Sequence, residues 1–189
     1  MNEMFCFQCQ QTAHNTGCEG KTGVCGKKSD TAGYQDELIG ALIGLARAAK
    51  SGNKSDKTDK LMIDGLFTTV TNVNFNNVTI KKLKTEIENE KNRINSQKYD
   101  DYDMKNLWDD NVDIRSLKSL ILFGIKGMAA YASHAFALGY KDDEVNDFFY
   151  TALYEIGEKG SVDTLLPLVL KTGEINLKCL ELLDKANTE

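Results

Sequence analysis

Residues 113–140, DIRSLKSLILFGIKGMAAYASHAFALGY, decide the fold. Leu117, Leu120, Ile121, Phe123, Ile125, Met128, Ala129, Tyr131 and Ala132 recur at the three- and four-residue spacing of a helix, and the run stops at Leu138-Gly139. The spacing predicts a helix opened by Asp113 or Ile114, the most apolar of the chain and central to its second half.

Working outward from it, Asp142 or Asp143 caps a following helix that carries Val145, Phe148, Phe149, Ala152, Leu153 and Ile156, before Gly157 and Gly160 stop it. Ser161 opens a last pair, in which Leu165, Leu166, Leu168, Val169 and Leu170 lead through a break at Thr172-Gly173 into Ile175, Leu177, Leu180, Leu182 and Leu183. On the other side, residues 97–112 hold Tyr99, Tyr102, Trp108 and five aspartates and read as an irregular connection. Three helices are expected before it. One carries Leu38, Ile39, Leu42, Ile43, Leu45, Ala46 and Ala49 and ends at Ser51-Gly52-Asn53. A second is capped by Ser55-Asp56 and has Leu61, Met62, Leu66, Phe67, Val70 and Val73 inside. A third spans about 78–96, with the thin stripe Leu83, Ile87 and Ile94, and is mostly exposed. The expected fold class is all-α, two helical bundles of about three helices each, with the final stretch counted as a pair. Residues 1–30 form a cysteine-rich loop, 31–98 the first bundle and 99–189 the second.

Hydrophobic residues at 41%, charged residues at 27% and a net charge of −5 describe a globular chain with no electrostatic reason to bind nucleic acid or an anionic membrane. No uninterrupted apolar run approaches the roughly 20 residues that span a bilayer. The N-terminus, MNEMFC, lacks the basic and apolar regions of a signal peptide, so a cytoplasmic location is expected.

Four of the five cysteines fall in the first 25 residues, spaced Cys6-x2-Cys9-x8-Cys18-x6-Cys25 within FCFQCQQTAHNTGCEGKTGVCG. A dense thiol cluster in a reducing compartment points to metal before disulfides. Cys6 and Cys9 can grip one centre on a tight turn, and the two longer loops can bring Cys18 and Cys25 to its other side. Soft thiolates suit zinc, Cu(I) or an iron–sulfur cluster. Gly17, Gly20, Gly23 and Gly26 let backbone amides approach sulfur, which favours a cluster, as does the lack of a second C-x2-C knuckle. Zinc stays open as the alternative at this level.

The blocks MFCFQCQQTAHNTGC…GVCGK, QDELIGALIGLARAA, DIRSLKSLILFGIKGMAAYASHA…LGY and LVLKTGEINLK resemble the N-terminal domain of the hybrid cluster protein family, also called prismane protein or hydroxylamine reductase. The resemblance covers nearly the whole chain. It implies that Cys6, Cys9, Cys18 and Cys25 bind the proximal cluster, [4Fe–4S] in one class and [2Fe–2S] in another; the first two spacings are similar to the first class and the last spacing to the second. It implies an electron-relay role within an enzyme that reduces hydroxylamine to ammonia or nitric oxide to nitrous oxide, with a ferredoxin-like or flavin-dependent donor. The family's hybrid 4Fe-2O-2S cluster is held by later domains, so the chain is expected to be inactive alone and to partner the remaining domains of the same protein. A zinc-stabilised helical interaction module is the rival reading, and an assembly role with self-association through apolar faces is a third.

Other residues favour plainer readings. His14 is an exposed loop histidine, not a fifth ligand; His134 is packed or half-exposed; Cys179 is a buried small hydrophobe. Tyr99, Tyr102 and Trp108 plug an interface. The run Lys81–Lys91 is a solvated helix face, and Glu155, Glu158 and Asp163 carry no chemistry.

Overall fold

The computed structural model describes residues 4–9 and 16–189. His14 and the rest of 10–15 lie outside them. Among the described residues the chain is predominantly helical, as the spacing predicts. The helices are α1 (Ser29–Ala49), α2 (Asp56–Thr68), α3 (Asn77–Ile94), the single turn α4 (Lys105–Trp108), α5 (Val112–Ala137), α6 (Asp143–Gly157) and α7 (Val162–Thr188).

Local chemistry sets most of the boundaries. The Ser55 N–H donates to Thr58 Oγ1 at 3.0 Å as part of a capping box that starts α2, and Asp142 accepts from the Val145 N–H at 3.0 Å to start α6. Helix α5 begins one or two residues before the expected start, because Asn111 accepts from the Asp113 N–H at 2.9 Å and is the cap.

The sequence readings of α7 and α3 need correction. The last stretch is one continuous helix, not a pair. Thr172 Oγ1 donates back to the Leu168 carbonyl at 2.8 Å, so the threonine satisfies itself inside the helix. Its methyl group fills the space above Gly124 of α5, where a Cβ would come within 2.5 Å. Tertiary packing overrides the Thr-Gly stop signal. On α3, Lys81, Lys82 and Lys84 are solvated or paired at the surface, but Glu90 and Lys91 are buried. Lys91 Nζ reaches Asp101 Oδ1 at 2.5 Å, which ties α3 to the 97–104 connection.

Helix α1 is the central strut. Leu38, Ile39, Ala41, Leu42, Ile43 and Leu45 are all fully buried, the all-round apolar pattern of a core helix. It packs on α2, α3 and α6, while α5 packs on α7, α2 and α6, so one continuous core joins the two halves. Arg47 of α1 adds a polar tie, donating to the Gly157 carbonyl at 2.7 Å. The connection lies against α1, where the Tyr102 N–H donates to the Gly40 carbonyl at 3.1 Å. By length and composition α5 passes as a candidate membrane span, with mean hydropathy 1.3 over an 18-residue window. Here it is a core helix, and Lys118 and Lys126 sit on its buried side.

The N-terminal segment is not wholly loop. Strand β1 (Met4–Cys6) pairs antiparallel with β2 (Cys18–Gly20), and β1 rests against α1.

Candidate metal centre

The strand register places Cys6 directly opposite Cys18. Both are buried, and with Ala32 of α1 they form a small cluster of their own. Gly17, at φ +118, makes this pairing possible: a side chain there would meet the Phe5 ring within 2.5 Å. Cys9 lies three residues beyond Cys6 and is half-buried. Cys25 is also half-buried, at the tip of a tight loop closed by the Thr22–Lys28 bridge and by the Gly23 N–H donating to the Lys27 carbonyl at 2.8 Å. Among the described residues no cysteine is in a disulfide.

The structure thus joins Cys6 to Cys18 and holds Cys9 and Cys25 on the same cap. Among the described residues no set of three or more His, Cys, Asp or Glu side chains is close enough together to hold a metal ion. The fit to a thiolate-bound group rests on donor chemistry and surroundings. Cys6 and Cys9 lie beside a buried polar network that the sequence reading missed. Lys126 of α5, 4% exposed, donates to Gln8 Oε1 at 2.9 Å, and the Gln8 amide donates in turn to Asp36 of α1. Lys27, 3% exposed, lies close enough to Cys6 to hold its thiol down.

Burial dominates these groups. It pushes the Cys6 thiol up, against the pull of Lys27 and of a hydrogen bond from the Gln8 backbone N–H. It pushes Asp36 up to about 7, opposed by the Gln8 hydrogen bond, Lys126 and Lys27. It pushes Lys126 down to about 7; Lys27 adds to that, while Asp36, Cys6 and Cys9 oppose it. Positive charge beside a thiol favours its thiolate, and at Cys6 the pull of Lys27 and Lys126 is outweighed by burial. One signal was present in the sequence: Lys118 and Lys126 interrupt the inner stripe of an apolar helix, where a charge needs a reason.

The plainer readings fare as follows. Cys179 is fully buried on α7, donates to the Met128 carbonyl at 3.5 Å, and is pushed up to about 11 by burial, a packed thiol away from the cap. His134 is exposed, its ring edge-on to Phe67 at 6.1 Å. Trp108 is buried and lies edge-on to Phe7 at 5.9 Å, so it packs against the cap, whereas the sequence reading put it between the two bundles. An open groove of about 870 Å³ runs beside the cap, lined among others by Phe5, Tyr34, Asp36, Tyr102 and Trp108.

Fold and site together define a helical protein with a four-cysteine cap. The chain belongs to the Prismane/CO dehydrogenase family, whose pattern matches residues 4–189. It is 38% identical to a hydroxylamine reductase of Caldanaerobacter subterraneus subsp. tengcongensis over 218 residues, covering 98% of this chain and 40% of that protein. Hydroxylamine reductases of Porphyromonas gingivalis and Methanocaldococcus jannaschii are 41% and 42% identical, covering 99% and 98% of this chain and 39% of each relative. The chain therefore spans about two-fifths of the length of these relatives.

Proposed function

We propose that this chain is the iron–sulfur electron-relay part of a hydroxylamine reductase-type oxidoreductase, with Cys6, Cys9, Cys18 and Cys25 as ligands of a [4Fe–4S] cluster, or of a [2Fe–2S] cluster as the alternative. The observation that carries the reading is the Cys6–Cys18 register pair, two buried thiols, with the buried Lys27 and Lys126 acting on Cys6. When bound, such a group accepts and donates single electrons. The chain's own residues supply the thiolates, the Gln8 backbone N–H toward Cys6, and two buried lysines, Lys27 and Lys126, whose charges act on Cys6.

Reduction of hydroxylamine or nitric oxide belongs to the whole protein in this reading, since the chain spans about two-fifths of the length of its hydroxylamine reductase relatives. The division into a cap (1–30) and two bundles (31–98 and 99–189) follows the same reading. The partners are the remaining domains of that protein, which suit the exposed Leu166, Leu170 and Leu177 of α7, and a ferredoxin-like or flavin-dependent donor in the cytoplasm.

The test is iron and acid-labile sulfide content with an absorption spectrum, after anaerobic reconstitution, on the wild type and Cys9→Ser. About four irons and four sulfides per chain, lost in the variant, are expected; about two of each assign the smaller cluster. Zinc without sulfide overturns the reading and leaves a zinc-stabilised helical module.

A further inference from the structure

Charge beneath the cysteine cap is out of balance. Lys27 and Lys126 are both buried, and among the described residues neither has a carboxylate within ion-pair distance. Asp36 reaches Lys126 only through the Gln8 amide. A buried ammonium group without an ion-pair partner is costly, and a well-packed apolar side chain in its place is commonly neutral or stabilising. Packing does not ask for lysine here: Leu122, Ile125 and Ala129, on the same side of α5, are fully buried and apolar.

Asp36 acts on Lys126 from across the Gln8 amide but is itself pushed up to about 7 by burial, so it offers only part of a negative charge, and the cap can supply the rest once its thiols are thiolates around a metal. Gln8 lies between Cys6 and Cys9 in the chain, so the Lys126–Gln8 hydrogen bond fixes the turn that presents both sulfurs. We propose that Lys126 is a positioning residue for the cysteine-bound centre: through Gln8 it sets the Cys6–Cys9 turn, and its positive charge holds the negative centre in place and makes it easier to reduce. This rests on the iron–sulfur reading above. A one-electron reduction adds one negative charge beside a fixed positive one in a water-poor site, so the reduced state gains more from the lysine than the oxidised state does.

The test uses the 189-residue chain as wild type, Lys126→Met, Lys126→Gln and Lys126→Arg, reconstituted anaerobically with iron and sulfide. Three quantities are read: urea unfolding before reconstitution, the midpoint potential by dye-mediated titration, and the rate of iron release to a chelator. The Met and Gln variants are expected to be as stable as the wild type or more so before loading, yet to show a more negative midpoint and several-fold faster iron release. Arginine keeps the charge and restores both. If the Met variant does not fold, the Gln variant carries the comparison, since its amide can still donate to Gln8.

Lys118→Met is the control, a buried lysine two turns earlier on α5 that donates to the Glu158 carbonyl at 2.8 Å and pairs with Asp110 at 3.5 Å. Its midpoint should match the wild type; an equal shift there would mean that α5 responds to any lysine loss, and the proposal falls. Wild-type midpoint and release rate in both neutral variants also overturn it. A wild type that takes up no iron or sulfide overturns the electron-relay reading, and this inference with it.

Discussion

Glu90 shows how a buried charge can be held in place by neutral and charged donors together. Arg93 Nη2 donates to its carboxylate at 2.7 Å and Thr58 Oγ1 at 2.6 Å, and the side chain is fully buried. The Arg93 hydrogen bond, with help from Thr58 and Lys57 and against the effect of burial, holds the carboxyl down at about 2, against 4.5 in the unfolded chain. A folded-state value below the unfolded one stabilises at pH above 4.5, and that contribution is lost as pH falls toward about 2. Glu90→Gln should therefore cost about 2 kcal/mol near neutral pH. The deficit should shrink steadily below pH 4.5 in urea titrations; a deficit independent of pH would show that the carboxylate charge is not what matters. Residues of this kind are the hardest to read from sequence. Glu90 and Lys91 sit in a run of Lys, Glu and Asn that looks like a wet surface, and Lys126 looks like a gap in an apolar stripe. Their partners, Thr58, Asp101 and Gln8, are distant in the chain.

Helices announced themselves more clearly than the contacts between them. The period of apolar residues located α1, α2, α3, α5 and α6 to within a few residues, because each buries a face whose spacing is fixed by helix geometry. The caps at Ser55, Asp142 and Ser161 were legible for the same local reason. Continuity of α7 was not, since Thr172 is held helical by Gly124 on another element, and neither was the short β1–β2 ladder, whose three-residue strands are too brief to show alternation. The four cysteines stand out in the sequence as a dense group; the Cys6–Cys18 pairing and the buried lysines near Cys6 do not. Gly40 is a further case. A Cβ there would come within 2.2 Å of the Tyr102 carbonyl oxygen, backbone against backbone, so the connection can lie on α1 only if residue 40 is glycine. Gly40→Ala should lower stability by about 1–3 kcal/mol despite alanine's better helix propensity. Thermal and urea unfolding would read this directly, and a stabilised variant would mean that the connection is free to lift away.

At the scale of the whole molecule, the contacts of α1 with α6 and of α2 with α5 cross between the two halves, and a single hydrophobic core runs through both. Division into two bundles describes the order of the chain, while cooperativity should follow the shared core. The chain before reconstitution is expected to unfold in one transition, with calorimetric and van't Hoff enthalpies equal. Two resolved transitions would show that each bundle is stable alone.

Trp108, the only tryptophan in the chain, lies edge-on to Phe5 at 6.2 Å and to Phe7 at 5.9 Å, the residues on either side of Cys6. That placement turns the indole into a built-in fluorescent gauge of the cap. Its emission is dimmed by energy transfer when a coloured iron–sulfur centre sits beside it and is left bright by colourless zinc, so the arrival and loss of the centre can be timed on unlabelled protein.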